Sequence, residues 1–157
     1  MRRKHTRVLR VAERAQNWGA LPNPRLTTTH GALFEFDCLK FLTKIKSDSI
    51  HCVFADPPFN LGKEYDNGFK DRWAQKEYFL WCEQWLDECM RVLVPGGALF
   101  IYALPRLPIH FAAYVDEALE FRHWIALTMK GTFPRGKKLY PALCSSLFYK
   151  RRAARFQ

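Results

Sequence analysis

A short apolar run followed by two prolines stands near the middle of the chain: Ile50-His51-Cys52-Val53-Phe54-Ala55-Asp56-Pro57-Pro58-Phe59. The run is rich in apolar and β-branched residues, which predicts a strand buried on both faces. The strand must end at the prolines, because neither has the N–H that a central strand donates. The polar, glycine-containing residues 60–68 that follow predict a mobile loop.

A helix and a second strand are predicted beyond this loop. Apolar residues recur at three- and four-residue steps over residues 73–93, which predicts a helix. Pro95-Gly96-Gly97 ends that helix, since glycine takes the positive φ of a helix stop. Residues 98–102 then predict another buried strand. Strand, helix and strand form a βαβ unit, so we expect a parallel pair with a right-handed crossover.

Shorter elements are predicted on both sides of this unit. They are a strand at 32–36, a helix carrying Leu39, Leu42 and Ile45, a helix at 109–120, and strands at 123–129 and 147–149. Together they predict a three-layer α/β fold, with a mostly parallel sheet and helices on both faces.

The charge distribution points to a polyanionic partner. The 157 residues carry a net charge of +10 and suffice for one domain. Residues 1–34 hold seven bases and one acid, and residues 129–157 hold eight bases and no acid. Basic flanks suit a nucleic-acid backbone, although solubilising tails are an alternative. We assign residues 1–30 to a basic leader without regular structure and residues 151–157 to a basic tail.

Cysteine and histidine usage predicts a cytoplasmic protein without a metal site. No pair has C-x-x-C spacing, and each cysteine lies in an apolar run, so we expect reduced buried thiols. His51 and His123 lie in apolar runs too and are expected in the core. No apolar run reaches the ~18 residues of a membrane span. The cysteines are Cys38, Cys52, Cys82, Cys89 and Cys144.

The tetrapeptide Asp56-Pro57-Pro58-Phe59 can carry chemistry, because open α/β sheets bind ligands at the carboxyl ends of their strands. The exocyclic amino group of a nucleobase is a poor nucleophile, since its lone pair is delocalised into the ring. Acceptors on both hydrogens, from the Asp56 carboxylate and the Pro57 carbonyl, would free that lone pair. The ring of Phe59 could stack on a base flipped out of its duplex, which contributes about 1–3 kcal/mol. The alternative is a turn that only ends a strand.

These segments resemble the β-type amino-methyltransferases of restriction–modification systems. In that family a D-P-P-[YF] tetrapeptide precedes the target-recognition region. Residues 56–62 resemble the catalytic motif and its loop, and Phe36-Asp37-Cys38-Leu39 resembles the G-D-C-L segment. Residues 92–97 resemble the following helix-to-strand turn, while Tyr140-Pro141 and residues 147–149 resemble the last strands before the target-recognition region.

The resemblance covers residues 31–150 and implies an incomplete Rossmann-like methyltransferase domain. It implies S-adenosylmethionine as donor and double-stranded DNA as substrate, with adenine N6 favoured over cytosine N4 by the aspartate of the motif. The implied catalytic residues are Asp56, Pro57, Pro58 and Phe59, and the implied cofactor-binding residues are Asp37, Cys38 and Asp56. The basic loop separately suggests phosphate contacts, with a solvated loop as the alternative, at Lys130, Arg135, Lys137 and Lys138.

The chain departs from the family at three places. It contains no F-x-G-x-G cofactor loop, Phe36 replaces a glycine, and Ala142-Leu143 replaces the family's Ser-His. Three explanations fit these departures. The chain is a fragment of a longer reading frame, or it pairs with a second polypeptide that supplies the cofactor loop and the target-recognition region, or it is an inactive remnant. An incomplete sheet would leave an apolar edge and predicts poor solubility or obligate pairing.

Two other functions are compatible with the residues. One is a non-catalytic DNA-binding remnant or subunit of a split methyltransferase. The other is the same chemistry on RNA or on a protein amide, and the basic flanks favour nucleic acid over protein.

Overall fold

The computed structural model describes residues 21–64, 70–128 and 143–151. Three helices and eight strands lie in this part of the chain. In chain order they are β1 (Leu26–Thr27), β2 (Ala32–Leu33), α1 (Cys38–Leu42), β3 (Ile50–Ala55), β4 (Lys63–Glu64), β5 (Lys70–Asp71), α2 (Gln75–Val92), β6 (Leu93–Ala103), α3 (Pro108–Val115), β7 (Leu119–Thr128) and β8 (Leu143–Arg151). In this described part, no helix is both long and apolar enough to cross a membrane.

The main sheet has four strands in the order β3-β6-β8-β7. β3 and β6 run parallel and are joined through α2, which confirms the predicted βαβ unit. β8 runs antiparallel to both β6 and β7, so the parallel pairing is confined to one side of the sheet. Two small hairpins stand apart from it, β1 with β2 and β4 with β5. The first strand of the β4–β5 hairpin lies within the segment predicted to be a loop.

The core lies between the main sheet and the helices. α2 buries the stripe that its apolar spacing predicted, which includes Tyr78, Trp85 and Leu86. This stripe belongs to one cluster with Leu99 and Ile101 of β6. Burying one large apolar side chain stabilises the fold by about 1.5–3 kcal/mol, so this cluster is the main source of stability.

The passage from α2 to β6 is shaped by glycine. Ile50 pairs with Leu93 and Cys52 pairs with Ala98, so β6 carries an irregularity that includes Pro95-Gly96-Gly97. Gly96 has a φ of 82°, a conformation that favours glycine, but it lies within β6: α2 ends at Val92, before the glycine stop that the sequence predicted. A Cβ on Gly97 would lie 2.9 Å from the Val94 carbonyl oxygen and 3.2 Å from that of His51. Only glycine therefore lets the two parallel strands approach here.

α1 is short and is held at both ends. The Asp37 carboxylate accepts a hydrogen bond from the Lys40 N–H at 2.9 Å, which caps the first turn. At the other end, Arg91 of α2 donates to the Leu42 carbonyl at 2.8 Å and to the Ile45 carbonyl at 3.0 Å. These bonds fix α1 against α2.

The prediction that β3 is buried on both faces was wrong. His51, Cys52 and Phe54 are exposed, and Phe54 retains 64% of its accessible surface. The reason is topological, because β3 is the edge strand of the described sheet and pairs only with β6.

Two expectations about buried side chains fail in part or in full. Cys82 and Cys89 of α2 are buried as expected, but Cys38 and Cys52 are exposed. The side chain of Cys144 lies outside the described part. His51 and His123, expected in the core, are both exposed. His51 and Cys52 lie on β3 and His123 lies on β7, which are the two edge strands of the described sheet, whereas Cys38 begins the short helix α1.

Candidate functional site

The Asp-Pro-Pro turn lies at the carboxyl end of β3 and borders an open cavity. Asp56 is exposed, Pro57 is buried and Pro58 is half-buried. All three line a cavity of about 440 Å³ between α1, β3 and α2, and the indole rings of Trp81 and Trp85 form part of its wall. This volume falls in the range of small-molecule sites. The turn therefore faces open space rather than the core.

The electrostatic environment of this cavity favours protonated groups. Desolvation by neighbouring protein atoms raises the pKa of the Asp56 carboxyl, although the side chain reaches solvent. Desolvation by neighbouring protein atoms also raises the pKa of the Cys38 thiol, although the residue reaches solvent, and the nearby Asp37 charge adds to this effect. Asp56 is consequently a better proton acceptor than an ordinary aspartate, and Cys38 is a neutral thiol.

Tyr78 of α2 anchors the Asp-Pro-Pro turn. Its hydroxyl donates a hydrogen bond of 2.6 Å to the Pro58 carbonyl oxygen. Burial raises the pKa of Tyr78, so the hydroxyl keeps the proton that it donates. Because Tyr78 is buried in the core on α2, this bond ties the conformation of the turn to the core.

The loop after the tetrapeptide is pinned where it leaves the sheet. Asn60, at a φ of 53°, accepts from the Trp73 N–H at 2.8 Å and donates to the Trp73 carbonyl at 3.1 Å. The buried Asp71 carboxylate accepts from the Leu61 N–H at 3.0 Å. The two stems of the loop are thus held together by side chains, and the end of the turn is fixed with them.

The structure brings together four of the predicted site residues and places the carboxylate of another elsewhere. Cys38, Asp56, Pro57 and Pro58 line the same cavity. The Asp37 carboxylate, predicted to bind the cofactor, instead caps α1 and is not among the residues that line the cavity.

Phe59, expected to offer its ring for stacking on an extruded base, also packs against the sheet. It is half-buried, and its ring centroid lies 5.9 Å from that of Tyr102 at an interplanar angle of 46°. Packing against the sheet therefore occupies part of the ring. The four basic residues predicted to contact DNA, Lys130, Arg135, Lys137 and Lys138, lie outside the described residues.

Sequence reasoning missed three residues that shape the site. Helical spacing identifies Tyr78 only as part of the apolar face of a helix, Asn60 stands as one polar residue of a loop, and Asp71 belongs to no motif. Asn60 directly follows the tetrapeptide, and asparagine tolerates a positive φ better than most residues, which is the one signal that could have identified it. Nothing in the sequence reveals that Tyr78 and Pro58 are partners.

The comparisons with known proteins agree with this geometry. The family model N6_N4_Mtase, described as DNA methylase, matches residues 50–153. The chain is 43% identical over 126 residues to the type II methyltransferase M.BamHI of Bacillus amyloliquefaciens, covering 80% of this chain and 30% of that protein. It is 37% identical over 79 residues to the DNA adenine methyltransferase YhdJ of Escherichia coli K12, covering 50% of this chain and 25% of that protein.

Solved structures show the same fold at low sequence identity. The PvuII DNA methyltransferase, described as cytosine-N4-specific, aligns with a TM-score of 0.58 and 19% identity over 81% of this chain and 51% of that chain. A DNA modification methylase of Thermus thermophilus, complexed with S-adenosyl-L-methionine, aligns with a TM-score of 0.55 and 16% identity over 77% of this chain and 53% of that chain.

The matched relatives are much longer than this chain, which spans about a third or less of the curated ones. The family match still covers the Asp-Pro-Pro turn and the strands and helices that position it, since it begins at Ile50. The predicted Rossmann-like methyltransferase fold and the resemblance to amino-methyltransferases are therefore confirmed, and the chain belongs to the N6/N4 DNA methylase family.

Proposed function

We infer that this chain carries the base-binding and catalytic residues of a DNA methyltransferase that acts on the exocyclic amino group of an extruded base. One observation supports this most directly. Asp56 and the two prolines line a cavity at the carboxyl end of a parallel strand, and Tyr78 holds their turn in place. A turn that only ended a strand would require neither the cavity nor the anchoring hydroxyl.

The chain's own groups activate the amino nitrogen. The Asp56 carboxylate accepts one amino hydrogen and the Pro57 carbonyl accepts the other, which directs the nitrogen lone pair outward. As the N–CH3 bond forms and the donor's S–CH3 bond breaks, the nitrogen becomes positively charged and must lose a proton. Asp56 takes this proton, and its raised pKa suits that role.

S-adenosylmethionine, when bound, supplies an electrophilic methyl group on a sulfonium sulfur. The cavity beside Asp56 fits such a cationic donor in two respects. The negative Asp56 carboxylate can balance the positive charge of the sulfonium, and the faces of Trp81 and Trp85 can attract that charge. Cys38 lines the same wall as a neutral thiol. The rest of the donor pocket requires the glycine-rich loop that this sequence lacks.

Adenine N6 is the favoured target over cytosine N4. The aspartate that opens the tetrapeptide supports this choice, and the relative YhdJ is described as an adenine methyltransferase. The structural neighbour from the PvuII system is described as specific for cytosine N4, so both bases are found in the family. Lys130, Arg135, Lys137 and Lys138 are proposed to contact DNA phosphates.

The methylated nucleoside identifies both the activity and the base. The chain is joined to the C-terminal part of a family member that supplies the cofactor loop, and is incubated with duplex DNA and S-adenosylmethionine. The DNA is digested to nucleosides and examined by mass spectrometry, with the C-terminal part alone as control. We expect N6-methyladenine from the joined protein only.

Two other outcomes have definite meanings. N4-methylcytosine would retain the activity and overturn the choice of adenine. DNA without any methylated nucleoside, from a protein that is folded and binds S-adenosylmethionine, would contradict the proposed activity and favour the non-catalytic DNA-binding alternative.

A further inference from the structure

A second cavity lies next to the turn, since it is lined by Asn60, which follows the tetrapeptide, and by Tyr78, which bonds to Pro58. Its volume is about 220 Å³, and it lies between the start of α2, the segment that joins β6 to α3, and the residue that follows the tetrapeptide. Phe79 and the buried Tyr78 contribute aromatic walls, while Asn60, Gln75, Arg106 and His110 contribute polar groups. The cavity is therefore a recess with polar groups and aromatic walls, one of which is the buried Tyr78.

The polar groups of this recess suit an anion. Its lining includes a guanidinium group and no carboxylate, whereas the cavity beside Trp124 is lined by Asp116 and Glu117. In the described part of the chain, Arg91, Arg122 and Arg151 each pair with an acid. Arg106 makes no hydrogen bond or ion pair with any described residue, so its five N–H donors are available to a ligand.

A second donor is held in a fixed position. The imidazole ring of His110 lies over the ring of Phe79, with centroids 4.1 Å apart and an interplanar angle of 35°. The ring is thus oriented beside Arg106 without any polar partner being needed to hold it. Gln75 adds an exposed amide to the lining of the recess.

The recess is coupled to the proposed catalytic turn by two residues that line it. Tyr78 donates to the Pro58 carbonyl at 2.6 Å, and Asn60 is the residue directly after Phe59. An anion held by Arg106 therefore lies one side chain away from the turn. In DNA that has lost one base from the stack, the anionic group next to the extruded base is a backbone phosphate.

We propose that this recess binds a backbone phosphate of the target DNA strand, beside the extruded nucleotide, through Arg106 with Gln75 and His110 as further hydrogen-bond donors. This assignment rests on the proposed function, because it takes nucleic acid as the substrate. A phosphate contact here positions the strand without reading its sequence, and it fixes the sugar–phosphate backbone at the place where the base leaves the duplex.

Two pairs of matched variants test the assignment. Arg106→Gln removes a positive charge from the recess, and Arg122→Gln removes the same charge from β7. Gln75→Glu places a negative charge in the recess, and Gln84→Glu places it at an exposed position of the same helix. All four positions are exposed, so the variants are expected to fold, and circular dichroism verifies this. Binding of the full chain to a fluorescein-labelled DNA duplex is followed by anisotropy across a salt series.

Loss of one phosphate contact has a defined signature. Arg106→Gln should reduce the slope of log K against log salt by about 0.9, which corresponds to an affinity change of about three- to fourfold over a fourfold range of salt. Gln75→Glu should weaken binding in the same direction. Arg122→Gln and Gln84→Glu should retain the slope of the unaltered chain. Equal slopes for Arg106→Gln and Arg122→Gln, or no DNA binding by the unaltered chain, would overturn the assignment.

The phosphate site and the proposed activity can fail separately. An Arg106-dependent salt slope without any methylated nucleoside would leave the phosphate site standing and remove the activity. A methylated nucleoside together with an unchanged slope for Arg106→Gln would leave the activity standing and remove the phosphate site.

Discussion

Tyr78 joins the core of the molecule to the residues proposed to do the chemistry. Its ring is packed in the face of α2 that contacts the sheet, while its hydroxyl reaches the Pro58 carbonyl at 2.6 Å. Removing the hydroxyl leaves a carbonyl without its partner and lets the turn relax. Pro57 and Pro58 restrict the backbone beside this bond. A small shift of the Pro58 carbonyl therefore also changes the direction of the Pro57 carbonyl.

Tyr78→Phe is expected to lower both stability and methyl transfer. The lost bond to a partly buried carbonyl should cost about 1–2 kcal/mol of unfolding free energy, measured by urea denaturation. The matched control is Tyr114→Phe, which removes a hydroxyl bonded to the exposed Asp87 carboxylate at 2.6 Å. Methyl transfer should fall only for Tyr78→Phe. Equal effects of the two variants on transfer would show that the Tyr78 hydroxyl does not position the turn.

Site residues that belong to a distinctive sequence motif could be predicted, whereas site residues whose role depends on a partner distant in sequence could not. Asp56, Pro57 and Pro58 are identifiable from their order in the chain and their position after a strand. The bond from Tyr78 crosses twenty positions of sequence, and helical spacing predicts burial of that side chain without indicating where its hydroxyl points. The capping role of Asp37 was likewise missed, although an aspartate directly before a short helix is a common cap.

At the scale of elements, the glycine pair near the start of β6 sets how the two parallel strands meet. Gly96 takes a positive φ within the irregular first part of β6, and Gly97, because it has no Cβ, lets the Val94 and His51 carbonyl oxygens lie close to it. The sequence predicted the end of the helix to within one residue, but it assigned the stop to Pro95-Gly96-Gly97, which lies in β6. The irregular pairing of β6 with β3 was not predicted, because the register of the two strands depends on the length of the segment that joins them.

Gly97→Ala should destabilise the fold, since both atoms nearest to the added Cβ are backbone oxygens that cannot move without shifting the strands. We expect a loss of about 1–3 kcal/mol in urea denaturation. Gly31→Ala is the control, because its Cβ would meet nothing within 4 Å. That change should be neutral or stabilise by up to about 1 kcal/mol. A Gly97→Ala variant as stable as Gly31→Ala would contradict the close packing of β3 and β6.

At the scale of the whole molecule, the order of the sheet explains where sequence reasoning succeeded and failed. The succession of strand, helix and strand predicted the parallel pair and the position of the turn, because right-handed crossovers leave little choice of topology. Burial of β3 was predicted wrongly, because the side chains of an edge strand have neighbouring strand residues on one side only and are less covered than those of a central strand. In the described sheet β3 has one neighbour, and Phe54 stacks on Phe100 with centroids 6.4 Å apart at a surface open to solvent.

The methyl-transfer rate of Asp56→Ala tests the central claim most directly. It is measured with labelled S-adenosylmethionine and duplex DNA, in the protein completed with a cofactor loop, beside the control Asp116→Ala at the exposed end of α3. If Asp56 accepts an amino hydrogen and then the proton, transfer should fall by at least about 100-fold for Asp56→Ala. The control should keep the rate of the unaltered protein. Full activity of a folded Asp56→Ala variant would contradict the account.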